Sequence, residues 1–336
     1  MKAYELRELI GPEGLTLNSQ RPEPQPSAGE VLIRVRAASL NYRDISVSFG
    51  RYPGTIKTSV IPLSDGAGEI VRVGPGVPET RLGERVVTAF YPYWIAGAIS
   101  ETVTDPALGG SLDGVLAELI TLPASAAIPI PEHLSFEEAA TLPSAALTAW
   151  QAIVEVGKVR AGDVVLTLGT GGVSLFALQL AKLHNATVIV TSGSQAKLER
   201  VRALGADHVL NYRTTPEWDT EVLQLTQGRG VDVIVEVGGP GTLERSLRCV
   251  RKGGTIVFIG RLAGTCLIDP LPIMRRAVRV IGINVGSHEM FAAMNRALAA
   301  SRLRPVIDRS FDFSEARAAY DYFQSGVAFG KVVITV

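Results

Sequence analysis

The chain has 336 residues, enough for two domains, and 46% of them are apolar, ample for buried cores. Thirty-three Lys and Arg balance thirty-three Asp and Glu, so no global charge attracts nucleic acid or a membrane surface. The only cysteines are Cys249 and Cys266, which excludes a disulfide framework or a four-thiolate metal site and suits a reducing cytoplasm.

The opening MKAYELRELI carries charges where a secretion signal needs its apolar run. Residues 1–128 read as β-rich. GEVLIRVRAASLN, VIPLSDGAGEIVRVGPGV and GERVVTAF are strand-like, rich in Val and Ile and separated by Gly and Pro. That composition predicts a compact antiparallel barrel. Within residues 129–298 the rhythm changes. Ser135 with Glu138 has capping-box spacing. Then VVLTLG, TVIVTS, HVLNY, VDVIVEVG, GTIVFIG and VRVIGINVG alternate with helical segments. Apolar strands alternating with helices predict a parallel sheet covered on both faces. The most apolar window, Val164 to Leu183, is broken by glycines and reads as sheet plus helix, with no membrane span. Residues 299–336 return to strand, helix, strand and are expected to pack on the barrel.

Gly169, Gly171 and Gly172 sit where a strand turns into a helix, followed by a second strand at the expected distance. Such a loop lets backbone amides, here those opening the helix at Val173, approach a pyrophosphate. Ser174 stands where the fingerprint has its third glycine. The second strand normally ends in an acid that grips the adenosine ribose 2′-hydroxyl. Here it ends Thr191, Ser192, Gly193, Ser194, with Lys197 soon after. Ser192, Ser194 and Lys197 offer donors and a positive charge, and Tyr212 ends the third strand beside them, so NADPH is the expected cofactor.

Several chemistries are excluded. None of the eight tyrosines has Lys four residues on, as a Tyr–Lys proton donor requires. No Cys precedes residue 249, and His133, His184, His208 and His288 are scattered, so no zinc ligand set is visible. There is no Gly-x-Ser-x-Gly elbow, and GVAFGKV has the wrong glycine spacing for a P-loop.

ASLNYRD, PLSDGAGEIVRVGPGV, LSFEEAATLPSAALTAW, GTGGVSLFALQLAK, LGADHVLNYR and FGKVVI, in this order, closely resemble the medium-chain dehydrogenase/reductase superfamily, and best its zinc-free quinone oxidoreductase-like branch. The resemblance covers essentially the whole chain. It implies an α/β protein with a GroES-like β-barrel catalytic domain (1–128), a Rossmann domain with a doubly wound parallel sheet (129–298) and a C-terminal return (299–336). Where zinc members place their ligands, this chain has Asn41, then Leu63, Ser64 and Asp65, then Ser144. The lobe that holds a second, structural zinc lies at about Tyr91 to Leu112 and contains no Cys. No metal is expected.

By the same resemblance, Asn41 and Tyr42 are the expected catalytic residues. Asn41 would bond the acceptor and Tyr42 would stack on it. Thr148 would contact the nicotinamide end of the cofactor, and Gly260, Gly330 and Lys331 would border the cofactor. Without a metal to acidify an alcohol, reduction of a quinone or other conjugated carbonyl is the less demanding reaction. The alternatives are metal-free alcohol or aldehyde oxidoreduction and an NADPH-binding protein of low turnover. A homodimer built on Val278 to Val285 is also expected, with Arg279 and Asn284 more exposed than their apolar neighbours. Small-molecule substrates are expected, and no nucleic-acid or membrane partner.

Overall fold

Antiparallel pairing dominates one of the two units into which the chain divides, Met1–Leu147 together with Val285–Val336; the other is Thr148–Asn284. The structure, a computed structural model, describes residues 1–260 and 267–336. Cys266 lies outside them.

The main sheet of the first unit runs, edge to edge, Ile307–Asp312, Lys331–Thr335, Glu30–Ser39, Asp65–Val73, Arg85–Thr88 and Ala127–Pro129. Leu119–Pro123 also pairs with Glu30–Ser39. Only the first two of these strands are parallel, joined by the helix Ala316–Gln324. This is the expected GroES-like architecture. Val31, Leu32, Ile33, Val35, Ala37 and Ala38 are all buried, so the long Glu30–Ser39 strand runs through the core. The segments 129–147 and 285–298, which the sequence reading groups with the nucleotide domain, pack in this unit instead. Ser39 Oγ donates to the Ala140 carbonyl (2.8 Å), Asn295 to Pro129 O (2.9 Å), and His288 Nε2 bonds Tyr91 O (3.0 Å). The Ser135–Glu138 capping box forms as its spacing predicts, with bonds of 3.2 and 2.9 Å.

Among the described residues the second unit contains six strands: β1 (Val164–Leu168), β2 (Thr187–Ser192), β3 (His208–Asn211), β4 (Val231–Glu236), β5 (Val250–Phe258) and β6 (Arg279–Gly282). Its helices include α1 (Gly172–Leu183), α2 (Gln195–Ala203), α3 (Trp218–Leu225) and α4 (Pro240–Cys249). All pairs are parallel, in the order β3-β2-β1-β4-β5-β6. That order reverses direction at β1, which places a ligand crevice outside its C-terminal end. Leu166, Ile189, Ile234, Leu247, Val222 and Ile256 pack in the core. VRVIGINVG, expected as one strand, pairs only over Arg279–Gly282, followed by a bond from Ile283 N to Phe258 O. Val285 then takes a φ of +29° and turns the chain. Arg279 and Asn284 are exposed, while Val280, Ile281 and Ile283 are half-buried. Among the described residues no helix is long and apolar enough to cross a membrane.

Candidate functional site

In the second unit the glycine loop has the geometry its spacing implies. Gly169 has a φ of +77°, a region that strains other residues. Its amide donates to Thr191 O (2.8 Å), tying β1 to β2. A Cβ at Gly169 or Gly171 would meet nothing within 4 Å, so the ground above the loop is open. Gly171 is the N-cap of α1, and Gly172 and Val173 open its first turn. Ser174 is buried and donates to Leu168 O (2.6 Å), which docks the helix on its strand. Open space at the positive end of a twelve-residue helix fits a dinucleotide pyrophosphate.

At the end of β2, Ser192 is buried and its Oγ accepts from the Ser194 amide (3.3 Å). Ser194 caps α2 by accepting from the Lys197 amide (3.4 Å). A Cβ on Gly193 would lie 2.7 Å from Tyr212 Oη and 2.9 Å from Arg213 Nε. A phenol and a guanidinium therefore lie directly over the strand end that lacks its acid. The sequence reading placed Tyr212 here and missed Arg213. The available signal was its position just past a strand that neighbours β2.

Thr148 is 4% exposed and lies in the short α-helix Leu147–Trp150, between two π-helical segments, Leu142–Ala146 and Gln151–Val156. Gly260 follows β5, its amide donating to Glu236 O (3.3 Å). Glu236 itself is fully buried. Its carboxylate accepts from the Gly238 and Gly239 amides (2.9 and 3.0 Å), Thr242 Oγ1 (2.6 Å) and Ser246 Oγ (2.5 Å), shaping the loop after β4.

In the first unit, strand register assembles a second polar centre. Ser39 pairs with Asp65 on one side and with Val333 on the other. Continuing the second register by two residues brings Lys331 opposite Asn41. Lys331 is 2% exposed, and its Nζ donates to Leu40 O (2.7 Å) and Asn41 Oδ1 (2.6 Å), with Asp65 Oδ2 at 3.8 Å. Burial lowers the pKa of this ammonium, while Asp65 and Asp44 oppose the shift. Both Asp65 oxygens are engaged: Oδ1 accepts from Ser64 Oγ (2.6 Å) and Oδ2 from the Ser144 amide (3.0 Å). Gly330 has a φ of +86° and leads into this strand.

Asn41 precedes the helix Tyr42–Ser48. Its backbone N–H donates to Asp44 Oδ2 (2.7 Å), and the Asp44 backbone N–H donates to the Asn41 backbone carbonyl (3.0 Å). Asp44 is 1% exposed, and burial pushes its carboxyl up to about 6, with Arg43 opposing. Arg43 is itself buried, donating to Leu108 O (2.8 Å) with its guanidinium over the Tyr52 and Phe90 rings. Asn41 Nδ2 is buried without a hydrogen-bond partner among the described residues. Tyr42, by contrast, is 57% exposed, so its ring is not part of the barrel core.

Tyr42 and Asn41 thus stay adjacent at the head of one helix. Lys331, expected beside the cofactor, is directed at Asn41 and Leu40. Around Tyr91, aromatic packing supports the loop. Phe90 and Tyr91 meet edge to face at 4.6 Å, with Trp94 at 6.1 Å from Tyr91. His133 and His184 bond backbone carbonyls, as His288 does.

Residues 27–132 match the family model for the alcohol dehydrogenase GroES-like domain, and residues 172–300 match the zinc-binding dehydrogenase model. A zinc-type alcohol dehydrogenase-like protein of Schizosaccharomyces pombe is 41% identical, over 98% of this chain and 99% of its own length. The quinone oxidoreductase of Rattus norvegicus is 29% identical, over 99% of this chain and 97% of its own. A crystal structure of an NAD-dependent alcohol dehydrogenase superposes with a TM-score of 0.92 at 34% identity, both chains covered in full. With both domain models matched in order and relatives aligned end to end, the chain belongs to the medium-chain dehydrogenase/reductase superfamily and is an oxidoreductase.

Proposed function

We propose that this protein is a zinc-independent, NADPH-dependent reductase of quinones or other conjugated carbonyls. The observation that carries the reading is the Lys331 ammonium, bonded to Asn41 Oδ1 at 2.6 Å and standing 3.8 Å from Asp65 Oδ2. At the positions of the zinc branch's ligands, Asn41, Ser64, Asp65 and Ser144, the one carboxylate is bonded by its neighbours and a cation is already beside it. Neutral amide and hydroxyl oxygens are poor zinc donors compared with thiolate and imidazole. The donor set does not fit zinc. Among the described residues no group of three His, Cys, Asp or Glu side chains is placed to hold a metal.

NADPH, when bound, supplies the hydride. The glycine loop and the first turn of α1 would hold its pyrophosphate. Ser192, Ser194, Lys197, Tyr212 and Arg213 would hold its 2′-phosphate. Asn41 Nδ2 is the donor left over for the acceptor's carbonyl oxygen. When hydride reaches the conjugated carbon, charge moves to that oxygen, and a waiting hydrogen bond stabilises it. Water then protonates the resulting enolate or hydroquinone anion. Exposed Tyr42 offers a ring for the acceptor to stack on. The exposed edge β6, with half-buried Val280 and Ile281, supports a homodimer paired along this strand, and the cysteine usage supports a cytoplasmic setting.

The test is oxidation of NADPH and of NADH by metal-stripped protein against quinones, enones and aldehydes, with simple alcohols run in reverse. Turnover of conjugated acceptors with NADPH preferred, and little alcohol oxidation, is expected. Efficient alcohol oxidation by the stripped protein would favour the dehydrogenase reading, and activity that returns only with zinc would defeat the metal-free one.

A further inference from the structure

An asparagine amide presents an acceptor and a donor in nearly the same shape, and only its hydrogen bonds decide which way it faces. Here Asn41 Oδ1 has the Lys331 ammonium at 2.6 Å and also faces the Asp44 backbone amide in the helix cap. An ammonium has three donors and no acceptor, so the Asn41 atom 2.6 Å from Nζ is the carbonyl oxygen. The Asn41 amide nitrogen is then the unpartnered atom. Lys331 in turn has little freedom. It is 2% exposed, bonds Leu40 O at 2.7 Å, and is carried by a strand whose backbone pairs with Glu30–Ser39 up to Ser39. Leu40 N donates to Val332 O (3.0 Å), closing the ladder one residue further.

We propose that Lys331 is a positioning residue for the reaction: its ammonium holds the Asn41 side-chain oxygen and so leaves the N–H₂ group as the donor for the acceptor. This rests on the reading in which Asn41 bonds the acceptor's oxygen. A freely turning amide would present its oxygen for part of the time, and an oxygen facing a developing enolate repels it. The lock therefore acts on the transition state more than on binding. An alternative role, charge balance for buried Asp65, predicts loss of stability with no special link to Asn41.

The experiment is a double-mutant cycle of Lys331→Met and Asn41→Ala, with kcat and KM for an enone, the NADPH dissociation constant and a thermal melt measured for each variant. Lys331→Met is expected to lower kcat at least tenfold, leave the NADPH dissociation constant within twofold, and add no more than twofold to the loss in Asn41→Ala. If Lys331→Met gives no cooperative melt, Lys331→Gln, one bond shorter and polar without the charge, is scored by the same criteria. A kcat within twofold of the parent, or losses that multiply in the double variant, would overturn the lock. An undiminished kcat in Asn41→Ala would instead remove the acceptor reading beneath it.

Discussion

Replacing Arg213 with Ala probes the cofactor pocket at a charged side chain that the folded structure adds to it. The guanidinium Nε lies 2.9 Å from where a Gly193 Cβ would stand, over the end of β2 where the adenosine ribose binds in this topology. A charge-assisted hydrogen bond to a phosphate contributes about 1.5–3 kcal/mol. Arg213 is exposed, so solvent screening reduces this to about 1–2 kcal/mol. At about 1.4 kcal/mol per tenfold, NADPH binding should weaken roughly 5- to 30-fold. NADH, which carries no 2′-phosphate, should change less than about twofold by the same reasoning. Fluorescence titration of both cofactors at two salt concentrations measures this, and the NADPH loss should shrink at high salt. Equal weakening of NADPH and NADH would refute the assignment, and so would parent-like NADPH binding in an Arg213→Ala, Lys197→Ala double variant.

Asp44 supplies a pH test. Its folded pKa is raised from 3.8 to about 6, so its protonated form favours the native state. That stability is present in full below about pH 4 and is lost as pH rises through about 6, a decline on the order of 3 kcal/mol. Asp44→Asn should lack this decline in urea unfolding compared between about pH 3.5 and 7, and an unchanged pH slope would show that burial does not control this carboxyl. For assembly, light scattering of the parent at micromolar concentration should give twice the chain mass, and Ile281→Lys on β6 should give a monomer. A monomeric parent would rule out the paired edge.

What could be read beforehand depended on local rules. Continuous Val and Ile runs betray parallel strands buried on both faces, and Gly169, Gly171 and Ser174 mark a strand–turn–helix by spacing alone. Asn41, Ser64 and Asp65 could be singled out because they occupy motif positions. Arg213 escaped because its relevance depends on β3 lying beside β2 and on a bare glycine letting the side chain approach. The role of Lys331 escaped for a similar reason: its partner is 290 residues away, and only strand register brings the two together. The domain boundary shifted because residues 129–147 carry helical signals that resemble the nucleotide unit but pack against the barrel strands.

The two polar centres differ in how they come into being. The glycine loop and the end of β2 lie within one continuous stretch of chain, so the nucleotide unit has all its contacts close at hand. Lys331 and Asn41 must instead close a loop that contains that entire unit. Closure entropy grows only slowly with loop length, but contacts so distant in sequence form slowly. On refolding from denaturant, the ability to grip a dinucleotide should thus return before the ability to turn over an acceptor. The interval between them would time the arrival of a single strand, Lys331–Thr335, at its place beside Glu30–Ser39.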